Sequence, residues 1–203
     1  MFYSIANSLI SKLSCERIIE DSMYEVYVYG FELILSSIVN ILILVAISIY
    51  LREPFAWLFF LIPFIPQRVT AGGYHASSHS KCIVVGAITF LVSLSLVGLI
   101  PNNLRSLFSI IVSLSNLVTV LLLSPVQSKN KPLTVSEVHK NRTLSIIISI
   151  IHVLCVVLIL VAVQSIPRLG MVYITGVFAA GLSLAVGNTE TKNRKDENHE
   201  KSS

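Results

Sequence analysis

A chain of 203 residues with 54% apolar and 13% charged side chains holds too much hydrocarbon and too little charge for a water-soluble domain of that size. The apolar residues gather in blocks, so the expected class is all-α, a polytopic membrane protein. The net charge of +4 fits orientation in a membrane and attraction to anionic surfaces, and nothing in the chain argues for nucleic acid.

Residues 1–29 lack the basic n-region, the adequate apolar core and the small-residue cleavage site of a signal peptide. Phe2, Ile5, Leu9 and Leu13 recur at helical spacing, followed by Glu16, Arg17, Glu20, Asp21 and Glu25. This predicts an amphipathic helix lying at the cytoplasmic membrane interface or against a partner. Five blocks approach or reach the roughly 20 residues of a membrane span: Gly30–Leu51, Ile83–Ile100, Leu104–Ser124, Thr143–Gln164 and Leu169–Gly187. A sixth, Pro54–Pro66, is short and proline-interrupted. The expected domain covers residues 30–187, and the polar segment 188–203 reads as a disordered cytoplasmic tail.

The short block decides the topology. If the N-terminus is cytoplasmic and Pro54–Pro66 crosses, 12 of the 15 basic residues lie inside and only Arg52, Arg105 and Arg168 lie outside, as the positive-inside rule requires. If the block dips in and returns, the basic loop 125–142 and the basic tail face out. The crossing arrangement is therefore expected, with six spans and both termini cytoplasmic. Thirteen helical residues reach only about 20 Å, so the loop 67–82 is expected to be drawn up into the cytoplasmic leaflet.

That loop carries most of the chemistry: Arg68, Gly72, Gly73, His75, His79 and, where the next apolar run opens, Cys82. A cysteine at a helix start sits where exposed N–H groups favour the thiolate, and Lys81 and a neighbouring histidine act in the same sense. The pattern points to a cysteine nucleophile with a histidine base. On a straight helix His75 and Cys82 would lie about 10 Å apart, so the chain must fold back, which the glycines and Ser77, Ser78 and Ser80 permit. His79, three residues from Cys82, needs no fold-back and is the geometric rival. His75, His79 and Cys82 also have the spacing of zinc ligands on a continuous helix, but the glycine pair weakens that helix and neither histidine has an adjacent glutamate; no metal and no cofactor is expected. Cys15 and Cys155 look structural, and His152 is expected to bond to another helix.

Arg68, Gly72-Gly73, His75 and Cys82 together resemble the signature of the accessory gene regulator B family of membrane cysteine endopeptidases, known as AgrB. Tyr29-Gly30-Phe31-Glu32 is similar to that family's entry to the first span, and Ser124-Pro125 with Asn130-Lys131-Pro132-Leu133 to its second cytoplasmic loop. Val126-Gln127-Ser128 departs from the acidic residue many relatives carry there. The resemblance implies a catalytic pair of His75 and Cys82, with His75 preferred over His79. It implies an AgrD-like propeptide as substrate, cleaved through a Cys82 thioester that an internal Cys or Ser closes into a thiolactone or lactone ring, a quorum-sensing signal. It implies a bacterial cell-membrane location and leaves room for a homodimer. Arg68, Lys129, Lys131 and Lys140 are candidate docking groups for an acidic peptide tail. The competing readings are a small transporter or channel, with the loop as a re-entrant gate, and a membrane scaffold without chemistry.

Overall fold

The computed structural model describes residues 2–15, 23–74, 78–126, 134–163 and 166–200. Over those residues the chain is all helical: α1 (Phe2–Cys15), α2 (Tyr24–Tyr50), α3 (Ala56–Ala71), α4 (His79–Leu99), α5 (Arg105–Leu123), α6 (Val135–Val163) and α7 (Arg168–Glu200). A single 3-10 turn, Asn102–Leu104, leads into α5. Five helices, α2 and α4 to α7, are long and apolar enough to cross a membrane. With α3 as a shorter sixth, this matches the expected count of spans.

Several helices are longer than hydropathy alone marks out. α3 continues past Pro66 through Gln67 and Arg68 to Ala71. Its 16 residues reach about 24 Å, against about 20 Å for the 13 residues of the apolar block. A proline removes only the bond its own N–H would make, and the later turn is intact: the Gly72 N–H donates to the Arg68 carbonyl at 3.0 Å. α6 begins at Val135 rather than Thr143 because Thr134 and Glu137 form a reciprocal cap. The Thr134 hydroxyl accepts the Glu137 N–H at 3.4 Å, and the Glu137 carboxylate accepts the Thr134 N–H at 2.8 Å. Lys140 and Arg142, expected on a loop, therefore ride on the first turns of α6. α7 runs on to Glu200 through the segment expected to be disordered.

In lipid, helices gain little by hiding apolar surface from one another, and close approach and polar contacts take over. α7 is the most enclosed span and packs against α3, α4 and α5. Gly176 makes the α3 contact possible, since a Cβ there would lie 2.5 Å from the Phe60 carbonyl oxygen and 2.9 Å from Pro63 Cγ. Around this contact Phe60, Phe90, Leu94, Met171 and Val172 form the main apolar core. Large apolar side chains such as Leu42, Ile49, Leu99 and Val161 face outward, as a lipid-facing surface requires. α2 packs on α4 and on α1.

At the end of the bundle opposite the Gly72 turn, the Trp57 N–H donates to Ser48 Oγ at 3.1 Å, and Arg168 Nε donates to Glu53 Oε1 at 2.7 Å, tying the α2–α3 turn to the start of α7. At the other end α1 buries Ala6 and Ile10 against Val28, while Ile5, Leu9 and Leu13 stay exposed. The apolar stripe read from the sequence is thus the outward face of α1, free to meet a membrane surface.

Gly176→Ala is expected to lower stability by about 1–3 kcal/mol, because the added methyl must push two backbones apart. Gly98→Ala, with open space around it, should leave the midpoint unchanged or slightly higher. Thermal unfolding of both variants in the same detergent checks the pair.

Candidate active site

The chain leaves α3 through two glycines that no other residue could replace without strain. Gly72 caps the helix at φ 80 and Gly73 follows at φ 147, both in the region that disfavours a side chain. Space is also lacking. A Cβ on Gly72 would collide with the Val126 carbonyl, and one on Gly73 would lie 2.8 Å from Ser183 Oγ. From the other side, a Cβ on Gly187 would lie 2.5 Å from the Gly73 carbonyl carbon. Three backbones meet here: the α3 exit, the segment after α5, and α7.

Polar bonds fix the same turn. The Tyr74 N–H donates to the Ser183 carbonyl at 2.9 Å, and the Val126 N–H to the Ala71 carbonyl at 2.9 Å. Arg68 forks across the turn, one amino group donating to Ser183 Oγ at 2.6 Å and the other to the Tyr74 carbonyl. Its guanidinium also lies 5.7 Å from the centre of the Phe64 ring. The position of Tyr74, and so of the chain entering residue 75, is set by α7 through Arg68 and Ser183.

Cys82 stands on the far side of the loop. Ser78, extended at φ −149 and ψ 154, caps α4 and accepts the Lys81 N–H on its side-chain oxygen at 3.3 Å. Cys82 is the fourth residue of the helix, and its N–H donates to the Ser78 carbonyl at 3.0 Å. Its thiol is free and exposed.

His79 is engaged elsewhere. Its Nε2 lies 3.8 Å from Glu32 Oε2 on α2, and its ring is 6.5 Å from that of Phe2 and 6.4 Å from that of Tyr29. It clasps the first turn of α4 to α1 and α2.

The remaining candidates divide clearly. Gly72, Gly73 and Arg68 meet at one turn, and Cys82 stands on the first turn of α4. Lys140 is exposed on α6. Arg142 donates to the Leu121 carbonyl at 3.4 Å and caps the end of α5. His75, Lys129 and Lys131 lie outside the described residues, and with His75 so does the zinc reading. His152 does bond to another helix, its Nδ1 2.6 Å from the Tyr173 hydroxyl of α7. Ser183 and Gly187 were not singled out in the sequence. The signal for them was the run of small residues Gly176, Gly181, Ser183 and Gly187 along the last span.

A short proline-bearing helix that exits through a pinned glycine turn, followed by a span with an exposed cysteine on its first turn, belongs to a polytopic helical membrane protein. The family model for Accessory gene regulator B matches residues 3–184, and the chain belongs to that family. Membership implies a role in accessory gene regulator peptide processing, with an AgrD propeptide as the molecule acted on. Neither the curated proteins nor the solved structures contain a match.

If Arg68 acts as the bracket of this turn, Arg68→Lys should lower kcat for propeptide cleavage about 10- to 100-fold with a smaller change in KM, because an ammonium cannot span Ser183 and Tyr74 together. Ser183→Ala, which removes one acceptor, should show the same pattern more weakly. A rise in KM alone would instead assign Arg68 to docking the substrate tail.

Proposed function

We propose that this protein is a membrane cysteine endopeptidase that removes the acidic C-terminal tail of an AgrD-like propeptide, with Cys82 as nucleophile and His75 as general base and acid. The observation that carries the reading is the pinned turn. Arg68, Ser183 and Gly187 fix Gly72, Gly73 and Tyr74 immediately before His75, while the exposed Cys82 opens α4 across a loop of only seven residues. A rigid approach to the histidine favours a proton transfer that needs heavy atoms about 3 Å apart. The clasp of His79 to Glu32 supports His75 as the base.

In this reading Cys82 Sγ gives its proton to His75 and attacks the carbonyl carbon at the junction with the tail. The C–N bond breaks, His75 protonates the leaving amine, and the peptide stays on Cys82 as a thioester. A thiol or hydroxyl within the bound peptide then attacks the thioester carbonyl, closes a ring and returns the thiol to Cys82. Water competes for the same carbonyl, so shelter from solvent raises the yield of cyclic product. Arg68 is held by two neutral acceptors, and its buried positive charge favours the negative charge that develops beside it. Lys129, Lys131 and Lys140 supply a positive field for the acidic tail.

The charge distribution supports a site on the cytoplasmic face with both termini inside, and membership of the AgrB family supports a bacterial cell membrane. The residue roles are tested by cleavage of a propeptide in membranes. Cys82→Ala and His75→Ala are expected to abolish it, whereas Cys155→Ala keeps it and His79→Ala only weakens it. Retained cleavage in Cys82→Ala would remove the mechanism, and inhibition by chelator reversed by zinc would replace it with a metal site.

Topology is tested separately. In a cysteine-free background, Cys at position 128 should be protected from an impermeant thiol reagent in intact cells and Cys at position 102 should react. The reverse pattern would mean that α3 does not cross.

A further inference from the structure

We propose that Glu32 is a positioning residue for Cys82 and acts through His79: the carboxylate on α2 holds the imidazole at the head of α4, and this fixes where the exposed thiol stands. The inference rests on the reading of Cys82 as the nucleophile and adds a residue of α2 to the machinery around it.

The geometry begins with how α4 lies against α2. His79 Nε2 is 3.8 Å from Glu32 Oε2, within ion-pair range. Further along the same pair of helices Gly86 meets Asn40, where a Cβ would lie 3.0 Å from Oδ1 and 3.3 Å from Nδ2. Gly86 is seven residues beyond His79, and Asn40 is eight beyond Glu32, so the two helices run parallel with about two turns between contacts. On α4, His79, Cys82 and Gly86 follow at i, i+3 and i+7. Cys82 therefore stands between the two contacts, on the shoulder of the face that meets α2.

The Cys82 thiol is exposed, so its place is set by the backbone of its turn rather than by packing of the side chain. That turn opens α4, where the N–H groups have no partners within the helix. The Ser78 cap answers one of them, accepting the Lys81 N–H at 3.3 Å, and Ser78 itself is exposed. The residues that α4 gives to the main apolar core, Phe90, Leu94 and Val97, lie deeper in the span. His79 is what joins the opening turn to other helices. Its ring meets Phe2 of α1 and Tyr29 of α2, and its Nε2 meets Glu32.

Glu32 is suited to hold it. Only 14% of the Glu32 side chain and 28% of the His79 side chain are exposed, so water competes weakly for either partner. A carboxylate this enclosed on a span this apolar needs a partner, and the imidazole supplies it. Without the pair, the turn that carries Cys82 projects past Gly86 with less to fix its direction. Misplacing a nucleophile by about 1 Å costs rate far more than it costs substrate binding.

Two measurements on the full-length protein in lipid nanodiscs test it. In a Cys15→Ala, Cys155→Ala background, a nitroxide attached to Cys82 should gain mobility on Glu32→Gln, read as a narrower central line. An unchanged line overturns the proposal, whether or not Cys82 is catalytic. In propeptide cleavage by the otherwise native chain, Glu32→Gln should lower kcat about 10-fold with KM changed less than about twofold. His79→Ala should match it, and the double variant should lose no more than either alone. Exchanging the partners, Glu32→His with His79→Glu, should restore kcat to within about threefold of native, a rescue that a role in packing alone does not give. Additive losses, or a rise in KM without a fall in kcat, overturn the assignment, as does an exchanged pair no more active than the single variants. Cleavage that survives Cys82→Ala strikes the endopeptidase reading, whereas an unchanged nitroxide line strikes the clasp by itself.

Discussion

The close contact between one face of α7 and the backbones around it is the constraint on which the rest depends. Gly176 admits the Phe60 carbonyl of α3, Gly181 admits Asn116 of α5, and Gly187 admits the Gly73–Tyr74 peptide. Between the last two, Ser183 receives the Tyr74 N–H and an Arg68 amino group. In a bilayer a span of small residues has no hydrophobic advantage of its own. Its value is that neighbouring backbones come close enough for dispersion and for direct hydrogen bonds. The backbone at the exit of α3 is satisfied for this reason, since α7 and Val126 supply partners for the Tyr74 N–H and the Ala71 carbonyl.

Arg68 shows how this contact converts into chemistry. No carboxylate pairs with it among the described residues. Its five donors meet a hydroxyl and a carbonyl, neutral groups that fix its direction without cancelling its charge. A guanidinium can occupy such a position because it stays protonated under any ordinary condition. The same residue thus braces the turn and holds a buried positive charge there, and the two effects should separate in a substitution that keeps the charge and loses the fork.

The five long spans were legible because a bilayer imposes one length and one polarity on whatever crosses it. A serine cap near Cys82 was legible too, since hydroxyls before a helix have few other uses. Helix ends were less so. α3 runs through Gln67 and Arg68 because both side chains find buried partners, Gln67 with Ser145 and Ser149 and Arg68 with Ser183, and each partner is more than 75 residues away. The role of α7 was hidden for the same reason: a glycine shows its purpose only when the atom opposite it is known. The contact of His79 with Glu32 was hidden in the same way, since the two stand on different helices, 47 residues apart in the chain.

The polar residues inside the bundle gather on one flank of α3. Gln67, Ser145, Ser149 and Asn116 form a bonded seam between α3, α5 and α6, and Ser124 closes it onto Ser145 at 2.7 Å. That seam lies on the α5–α6 side of α3, whereas Cys82 stands on α4, whose neighbours are α2 and α7. Pro63, Phe60 and Gly176 fill the space between with apolar packing. The buried polar seam and the thiol therefore lie on different flanks of the α3–α7 contact. Under the proposed mechanism, a tight contact between those two helices would act twice, once by fixing the turn at Tyr74 and once by keeping this hydroxyl-rich seam away from a thioester on Cys82.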